Sequence, residues 1–517
     1  YNWFYEAYAN RFDYDRSQKN RFFGRWNWLK YREDRQDWTH TTDRGLMTNG
    51  VNRNNLGAMA DWVYTPSATT VFDVEGSANN FREGNILSPV ALAFTPSAVG
   101  LPAYLDAKAG VNHALPVMNF SGYNSLGQSV PNWTHYEVLS IAGNAFHIRG
   151  AHTFRAGIDV RDHRRSGGDP GNASGLYSFD NANTCREDDC LTTTGSLGYS
   201  WASFMMGLPT TSSIDTNATY ATSNPYIGSY VQDNWRVSSK LSLNLGFRME
   251  YEFGIKERYS RQIAGFDPTA NLPITALAET AYAQNPIPEL AGSAIAVLGG
   301  SVYTNANGVS ARFPAGQLMF MPRIGAAYQF NGTTVLRGGY GMYYDTLNAQ
   351  TLAPDQSGFS RTTSDPSSTN FGQTWLSGDP GNGISPMVDP FPVRSDGTRF
   401  DAPVGDALGL MAKDGSGWTF VDPNFKRARV QRWRLELERQ FGGNMVVSLA
   451  YTGMRADDLR ITRTLSALPA QYWATGDTRN NAVATNLNQN VSNPFYIGNF
   501  ASLQTSDPVT YQALSSR

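Results

Sequence analysis

The stretch Leu241–Glu252 limits what this chain can become more than any other. Leu241, Leu243, Leu245, Phe247, Met249 and Tyr251 alternate with Ser242, Asn244, Gly246, Arg248, Glu250 and Glu252. Side chains point to opposite sides along a strand, so these twelve residues make one apolar face and one polar, charged face. Strands of soluble sheets usually run about 5–6 residues, whereas a tilted strand needs roughly 9–11 to cross a bilayer. The stretch is long enough to cross. The question is whether its apolar row meets lipid or a protein core.

The same alternation recurs along the chain. Phe22, Gly24, Trp26 and Trp28 oppose Arg25 and Asn27, and Leu56 to Tyr64 alternate up to a Thr65-Pro66-Ser67 turn. A Gly-, Pro-, Ser- and Asn-rich loop is expected from about Ala78 to Trp133. After the turn Arg149-Gly150-Ala151-His152, Phe154, Ala156, Ile158 and Val160 oppose Arg155, Gly157, Asp159 and Arg161. Trp201 to Leu208 reads as a short strand or a helical turn, and a weaker strand is expected near Thr211 to Tyr220. Further hairpins turn at Asn331-Gly332, a strong turn signal, and at Gly442-Gly443-Asn444. Beyond about Arg463 the sequence reads as polar loop.

Tight turns therefore alternate with long loops, and the faces opposite the apolar ones carry charge. Both features suit a large antiparallel transmembrane β-barrel with short periplasmic turns and long extracellular loops. Leu243, Leu245, Phe247, Ile324, Tyr340 and Leu435 are then expected to face lipid. Arg155, Asp159, Arg248, Glu250, Arg337, Arg434 and Glu436 are expected to face the lumen. A large soluble antiparallel protein, with its apolar faces packed together, is the alternative reading.

Composition permits the barrel. The chain is 517 residues long, 41% hydrophobic and 17% charged, with net charge −2. No run of about 18 apolar residues exists, which excludes transmembrane helices and leaves strands untouched. Near-neutral charge argues against nucleic acid as a partner. Aromatic residues make up 13%, enough for girdles at both membrane interfaces. The two cysteines, Cys185 and Cys190, lie close together in a polar loop and suggest a local disulfide in an oxidising compartment. Asp180, Asp188 and Asp189 lie near that loop, but without calcium-ligand spacing.

Catalysis finds no support. There is no His-Glu-x-x-His pair and no Gly-x-Ser-x-Gly elbow. Gly339-Tyr340-Gly341 lacks the third glycine and the context of a dinucleotide fingerprint. No cofactor or metal is indicated, and the long loops are the expected binding surface.

Three blocks resemble a known family. They are Tyr230-Val-Gln-Asp-Asn-Trp-Arg-Val running through Leu243–Tyr251 to Phe266-Asp-Pro268, then Pro322–Tyr328 with Val335–Asp345. The third is Val430–Gln440 with Ala450–Arg455 and Asn493-Pro-Phe-Tyr496. Together they resemble the barrel of TonB-dependent outer-membrane receptors, more narrowly their Oar-like branch. The resemblance implies a bacterial outer-membrane receptor that takes up a bulky, unidentified extracellular ligand. Uptake in that family runs through a plugged lumen, energised by the TonB complex. An outer-membrane structural, adhesive or secretion-linked protein is the second reading it allows. The family barrel has about 22 strands, of which about 14 can be placed here. Neither a plug nor an N-terminal domain is visible, so residues 1–517 are expected to be an internal part of the barrel domain.

Overall fold

The computed structural model describes residues 2–34, 49–87, 89–185, 198–306, 308–347, 352–370, 372–415, 417–422 and 424–515. In chain order the strands begin with β1 (Asn2–Ser17), β2 (Asn20–Asp34), β3 (Asn49–Ser67), β4 (Thr70–Leu87), β5 (Val117–Phe120), β6 (Trp133–Arg149) and β7 (His152–Gly168). They continue with β8 (Leu176–Phe179), β9 (Thr211–Thr216), β10 (Tyr220–Arg236), β11 (Leu241–Glu252), β12 (Lys256–Glu257) and β13 (Ile263–Asn271). The last six are β14 (Leu298–Tyr303), β15 (Gln317–Asn331), β16 (Thr334–Tyr344), β17 (Arg361–Pro366), β18 (Arg429–Phe441) and β19 (Met445–Asp457).

Twelve long strands form one antiparallel wall in the order β1-β2-β3-β4-β6-β7-β10-β11-β15-β16-β18-β19. The shortest of them has 11 residues and the longest 19, so all reach the length a tilted strand needs to cross a bilayer. Six connections are tight turns and lie at one end, after β1, β3, β6, β10, β15 and β18. The other five connections, from 14 to 84 residues long, lie at the opposite end. The turn at Asn331 has a simple local cause: its side chain accepts from the backbone N–H and the hydroxyl of Thr333, each at 3.0 Å.

Among the described residues, the two largest buried clusters lie outside the twelve wall strands, in segments that fold into a cap. One cluster joins Ile263, Ile274, Tyr303, Met411, Phe500 and Leu503, drawing together the β13-β14 hairpin, the helix Thr275–Gln284 and the C-terminal helices. A second joins Leu105, Phe120, Tyr177, Phe179, Ile214 and Phe391 around a four-stranded sheet, β17-β9-β8-β5.

Three expectations need correction, and one open alternative is decided. The strand expected near Thr211 to Tyr220 is split: β9 belongs to the cap sheet, while Tyr220 already opens β10. Trp201–Leu208 is resolved in favour of helix, over Ser200–Met205. The loop expected from Ala78 begins ten residues later, because β4 keeps its ladder with β3 to Leu87. Its upper half carries polar residues on both sides, so no clean alternation marks it as strand. Past Arg463 the chain is not all loop, since it forms helices at Asn481–Leu487, Leu503–Ser506 and Pro508–Ser515 and buries Phe500 in the cap.

Candidate functional site

Register decides which side chains share a face. Leu243, Ala326, Gly338 and Leu435 form one row across β11, β15, β16 and β18, and Leu245, Ile324, Tyr340 and Trp433 form the next. Phe247 stands opposite Pro322 on that same face. Leu245, Phe247, Ile324 and Leu435 are exposed, Leu243 and Tyr340 are half-buried, and none of the six belongs to a buried cluster. At the tight-turn end this face carries an aromatic ladder. Phe22 stacks on Trp62 at 6.2 Å and Trp62 on Tyr64 at 5.8 Å. The His152 ring lies between Phe154 at 5.4 Å and Trp235 at 5.1 Å, with its Nδ1 2.7 Å from Asp233.

The opposite face holds the charges. Arg155 stands opposite Gln232, which stands opposite Gly246, and Gly246 opposite Arg323. Asp159 pairs through Gly228 with Glu250, and Arg337 stands opposite Glu436. Arg155, Asp159, Arg248, Glu250, Arg337, Arg434 and Glu436 therefore all lie on one face, away from the leucine rows. Most of their charges are matched locally. Arg161 donates to Asp159 through Nε and Nη2 at 2.9 and 2.6 Å. Arg248 pairs with Glu250 and donates to the Tyr226 hydroxyl at 2.8 Å. Arg434 pairs with Glu436 at 2.9 Å, and Arg337 reaches Glu438 at 3.8 Å. The Arg155 guanidinium lies over the Phe146 ring at 5.5 Å.

The densest part of this face is a cavity of about 400 Å³ lined by Glu75, Ser140, Asp159, Arg161, Tyr230 and Arg248 among others. Its floor is a hydrogen-bonded chain. The Tyr230 hydroxyl donates to Asn144 Oδ1 at 3.0 Å, and Asn144 Nδ2 donates to Asp73 at 2.7 Å. Gly157 makes room for this chain, since a Cβ there would stand 2.5 Å from the Tyr230 ring and 2.6 Å from Asn144 Oδ1.

At the long-loop end, the cap is tied to the wall by an ion pair the sequence did not signal. Arg427 Nε donates to Glu252 at 2.9 Å and its Nη1 to the Ala315 carbonyl at 2.9 Å. Glu252 also accepts the Leu347 N–H at 3.0 Å. Both side chains are almost wholly buried, 1% and 3% exposed. The cap also holds a second cavity of about 470 Å³, lined by Asp355, Gln356, Ser357, Arg361 and Lys413 among others. Asp355 takes the Lys413 ammonium at 3.0 Å, the Trp418 indole N–H at 3.1 Å and the Ser357 hydroxyl at 2.7 Å. Burial pushes the Asp355 carboxyl up, but the bonds from Ser357 and Lys413 outweigh it and hold the group below its ordinary value.

Among the described residues no group of three or more His, Cys, Asp or Glu side chains is placed to hold a metal. Asp180 is engaged with the Ala182 N–H and the Thr210 hydroxyl, while Asp188, Asp189 and Cys190 lie outside the described residues. The expected Cys185–Cys190 pairing therefore falls partly outside them as well.

No curated protein sequence matches the chain. Among solved structures, the outer membrane transporter YddB from Escherichia coli overlaps 87% of this chain and 40% of its own, at 9% identity and a TM-score of 0.43. The ferric yersiniabactin uptake receptor FyuA from Yersinia pestis overlaps 88% and 46%, at 8% identity and 0.38. The FrpB iron transporter from Neisseria meningitidis overlaps 88% and 45%, at 9% identity and 0.38. The chain thus spans less than half the length of each of these proteins, and overlaps this loose carry no argument of their own. The sequence profile of the outer membrane beta barrel domain, by contrast, matches residues 4–517. That match takes in the whole strand wall and the cap, and the chain belongs to the outer membrane beta barrel domain family.

Proposed function

We propose that this chain is wall and cap of an outer-membrane receptor that imports a bulky extracellular ligand. Leu243, Leu245, Phe247, Ile324, Tyr340 and Leu435 meet lipid in this reading. Arg155, Asp159, Arg248, Glu250, Arg337, Arg434 and Glu436 line the lumen. The observation that carries it is the asymmetry between the two ends. One end is trimmed to tight turns, while the other builds a folded cap with its own cores above the charged face. A rigid scaffold holding elaborate loops is how binding surfaces are presented, and the polar face below them offers a wet route. Residues 1–517 act as part of one barrel domain, with Cys185 and Cys190 bridged in the cap. The blocks around Leu243–Tyr251, Pro322–Tyr328 and Val430–Gln440 resemble the Oar-like branch of such receptors. Transport then draws on a plug segment and on the TonB complex.

Topology and transport are tested separately. An epitope inserted at Gly397, at an exposed cap turn, should label on intact cells. One inserted at Ser239, in a tight turn, should label only after the outer membrane is opened; the reverse pattern would invert the orientation. Deleting the gene should impair energy-dependent growth on a limiting bulky nutrient. If growth is unchanged and the set of proteins reaching the cell surface changes instead, the export or adhesion reading replaces uptake.

A further inference from the structure

On the charged face, two arginines stand together without a carboxylate at the junction of β15, β16 and β18. Arg323, Gly341 and Arg432 form a single row across these strands. Neighbouring strands lie about 4.8 Å apart, so the two arginines start about 10 Å from each other with no side chain between them. Tyr343 folds over the gap: its hydroxyl lies 2.8 Å from where a Gly341 Cβ would stand. The Arg323 guanidinium lies 4.8 Å and the Arg432 guanidinium 5.9 Å from the Tyr343 ring centre. Both arginines are exposed, and among the described residues neither has a carboxylate within ion-pair distance. This contrasts with Arg161, Arg248 and Arg434, each of which has one.

The floor beside them is bare. Gly246 flanks Arg323 in its row, and Gly325 and Gly339 form the next row, leading to Arg434. A Cβ at Gly246, Gly325 or Gly339 would find its nearest neighbour at 3.6 Å, ordinary contact. Packing in the wall therefore does not require glycine at these three positions. What their absence of side chains creates is a shallow basin, rimmed by two unpaired guanidiniums and backed by one phenol ring.

We propose that this basin is an anion site, and that its ligand is a small oligocarboxylate. Arginine's planar fork matches a carboxylate with two parallel N–H bonds. Two forks braced on one ring hold their orientation at reduced entropic cost, and two carboxylates on one small molecule can span the gap between them. The proposal rests on the charged face being the lumen wall, which makes the basin a waypoint for an acidic cargo or cargo fragment.

The test uses the full chain in detergent micelles at low salt, with citrate as probe, titrated calorimetrically. Citrate should bind saturably, and its uncharged triethyl ester should not. R323Q/R432Q should weaken citrate binding at least about tenfold, the loss expected for one charge-assisted hydrogen bond. G339L, which fills the basin and keeps every charge, should weaken it as well, so the outcome does not depend on one variant folding. R439Q, outside the basin, should bind as the parent does. Absence of saturable binding, equal binding of the ester, or citrate affinity unchanged in both R323Q/R432Q and G339L would overturn the site. Spin-label accessibility at Arg434 separates the two levels. A water-accessible Arg434 with no citrate binding removes the anion site alone, while a lipid-exposed Arg434 removes the lumen reading beneath it.

Discussion

Replacing Arg427 by methionine should loosen the cap where it joins the wall. Methionine keeps most of the stem volume, so packing changes little and the perturbation is mainly electrostatic. The substitution removes the Nε bond to Glu252 and the Nη1 bond to Ala315, each 2.9 Å. Glu252, 3% exposed, is left as a buried carboxylate whose remaining partner among the described residues is the Leu347 N–H. Breaking a buried pair by removing one partner costs about 3–5 kcal/mol, because the stranded charge stays desolvated. At 1.36 kcal/mol per factor of ten, local opening at the Leu347 amide should become roughly a hundred to a few thousand times more frequent. Hydrogen exchange at Leu347, followed by mass spectrometry of the protein in micelles, reads this directly. The double variant E252Q/R427M leaves no stranded charge and loses only hydrogen bonds, worth about 0.5–1.5 kcal/mol each. It should therefore exchange more slowly than R427M, although it carries one more substitution. If R427M exchanges no faster than the double variant, the pair does not act as a buried electrostatic anchor and the reasoning fails.

Other expectations follow from the two faces and from the cap. Leu245→Arg should destabilise the protein by about 2–4 kcal/mol in a lipid unfolding titration, the cost of an arginine facing the bilayer midplane. Asn244→Arg, one residue away on the other face, should cost under about 1 kcal/mol, in line with surface substitutions. Gly157→Ala should lower stability by about 1–3 kcal/mol as its Cβ forces the Tyr230 ring and Asn144 apart. Gly76→Ala, with nothing within 4 Å of the new atom, should leave the urea midpoint in place. Asp355 supplies a pH expectation. Because its folded value is depressed, its contribution is present above the unfolded value of about 3.9 and is lost as pH falls through the folded one. Fluorescence of Trp418, bonded to Asp355 at 3.1 Å, should be flat from neutral pH down to about 4 and change below it. Asp355→Asn should remove that acidic limb.

Much of the wall was legible because an apolar face opposite a polar, charged one imposes a period of two. Leu241–Glu252 is β11 with both its boundaries as read. The turns at Arg149-Gly150-Ala151-His152, Asn331-Gly332 and Gly442-Gly443-Asn444 fall where two rows must reverse. Legibility stops where that contrast stops. The upper part of β4, Ala78 to Leu87, carries polar residues on both sides, and only the ladder to β3 reveals it as strand. The cap was read as loop because its cores are assembled from scattered single residues. Ile274, Tyr303, Met411 and Phe500 show no period, and each contributes to one cluster from a different segment. Glu252 and Arg427 are 175 positions apart, and no local spacing joins them. The Arg323–Tyr343–Arg432 basin was hidden for a related reason: its three members lie on three strands, and their missing counter-charges show only once the register is known.

The central claim is that the leucine-bearing face meets lipid and the arginine-bearing face meets water. It is tested most directly with single-cysteine nitroxide labels at Leu245, Ile324 and Leu435, and at Arg248 and Arg434, in the protein reconstituted into bilayers. Collision rates with oxygen, which concentrates in hydrocarbon, and with a water-soluble nickel chelate then report each position's surroundings. The account predicts oxygen-dominated relaxation at the first three positions and nickel-dominated relaxation at the last two. Nickel-dominated relaxation at Leu245, Ile324 and Leu435, or no difference between the two sets, would contradict it.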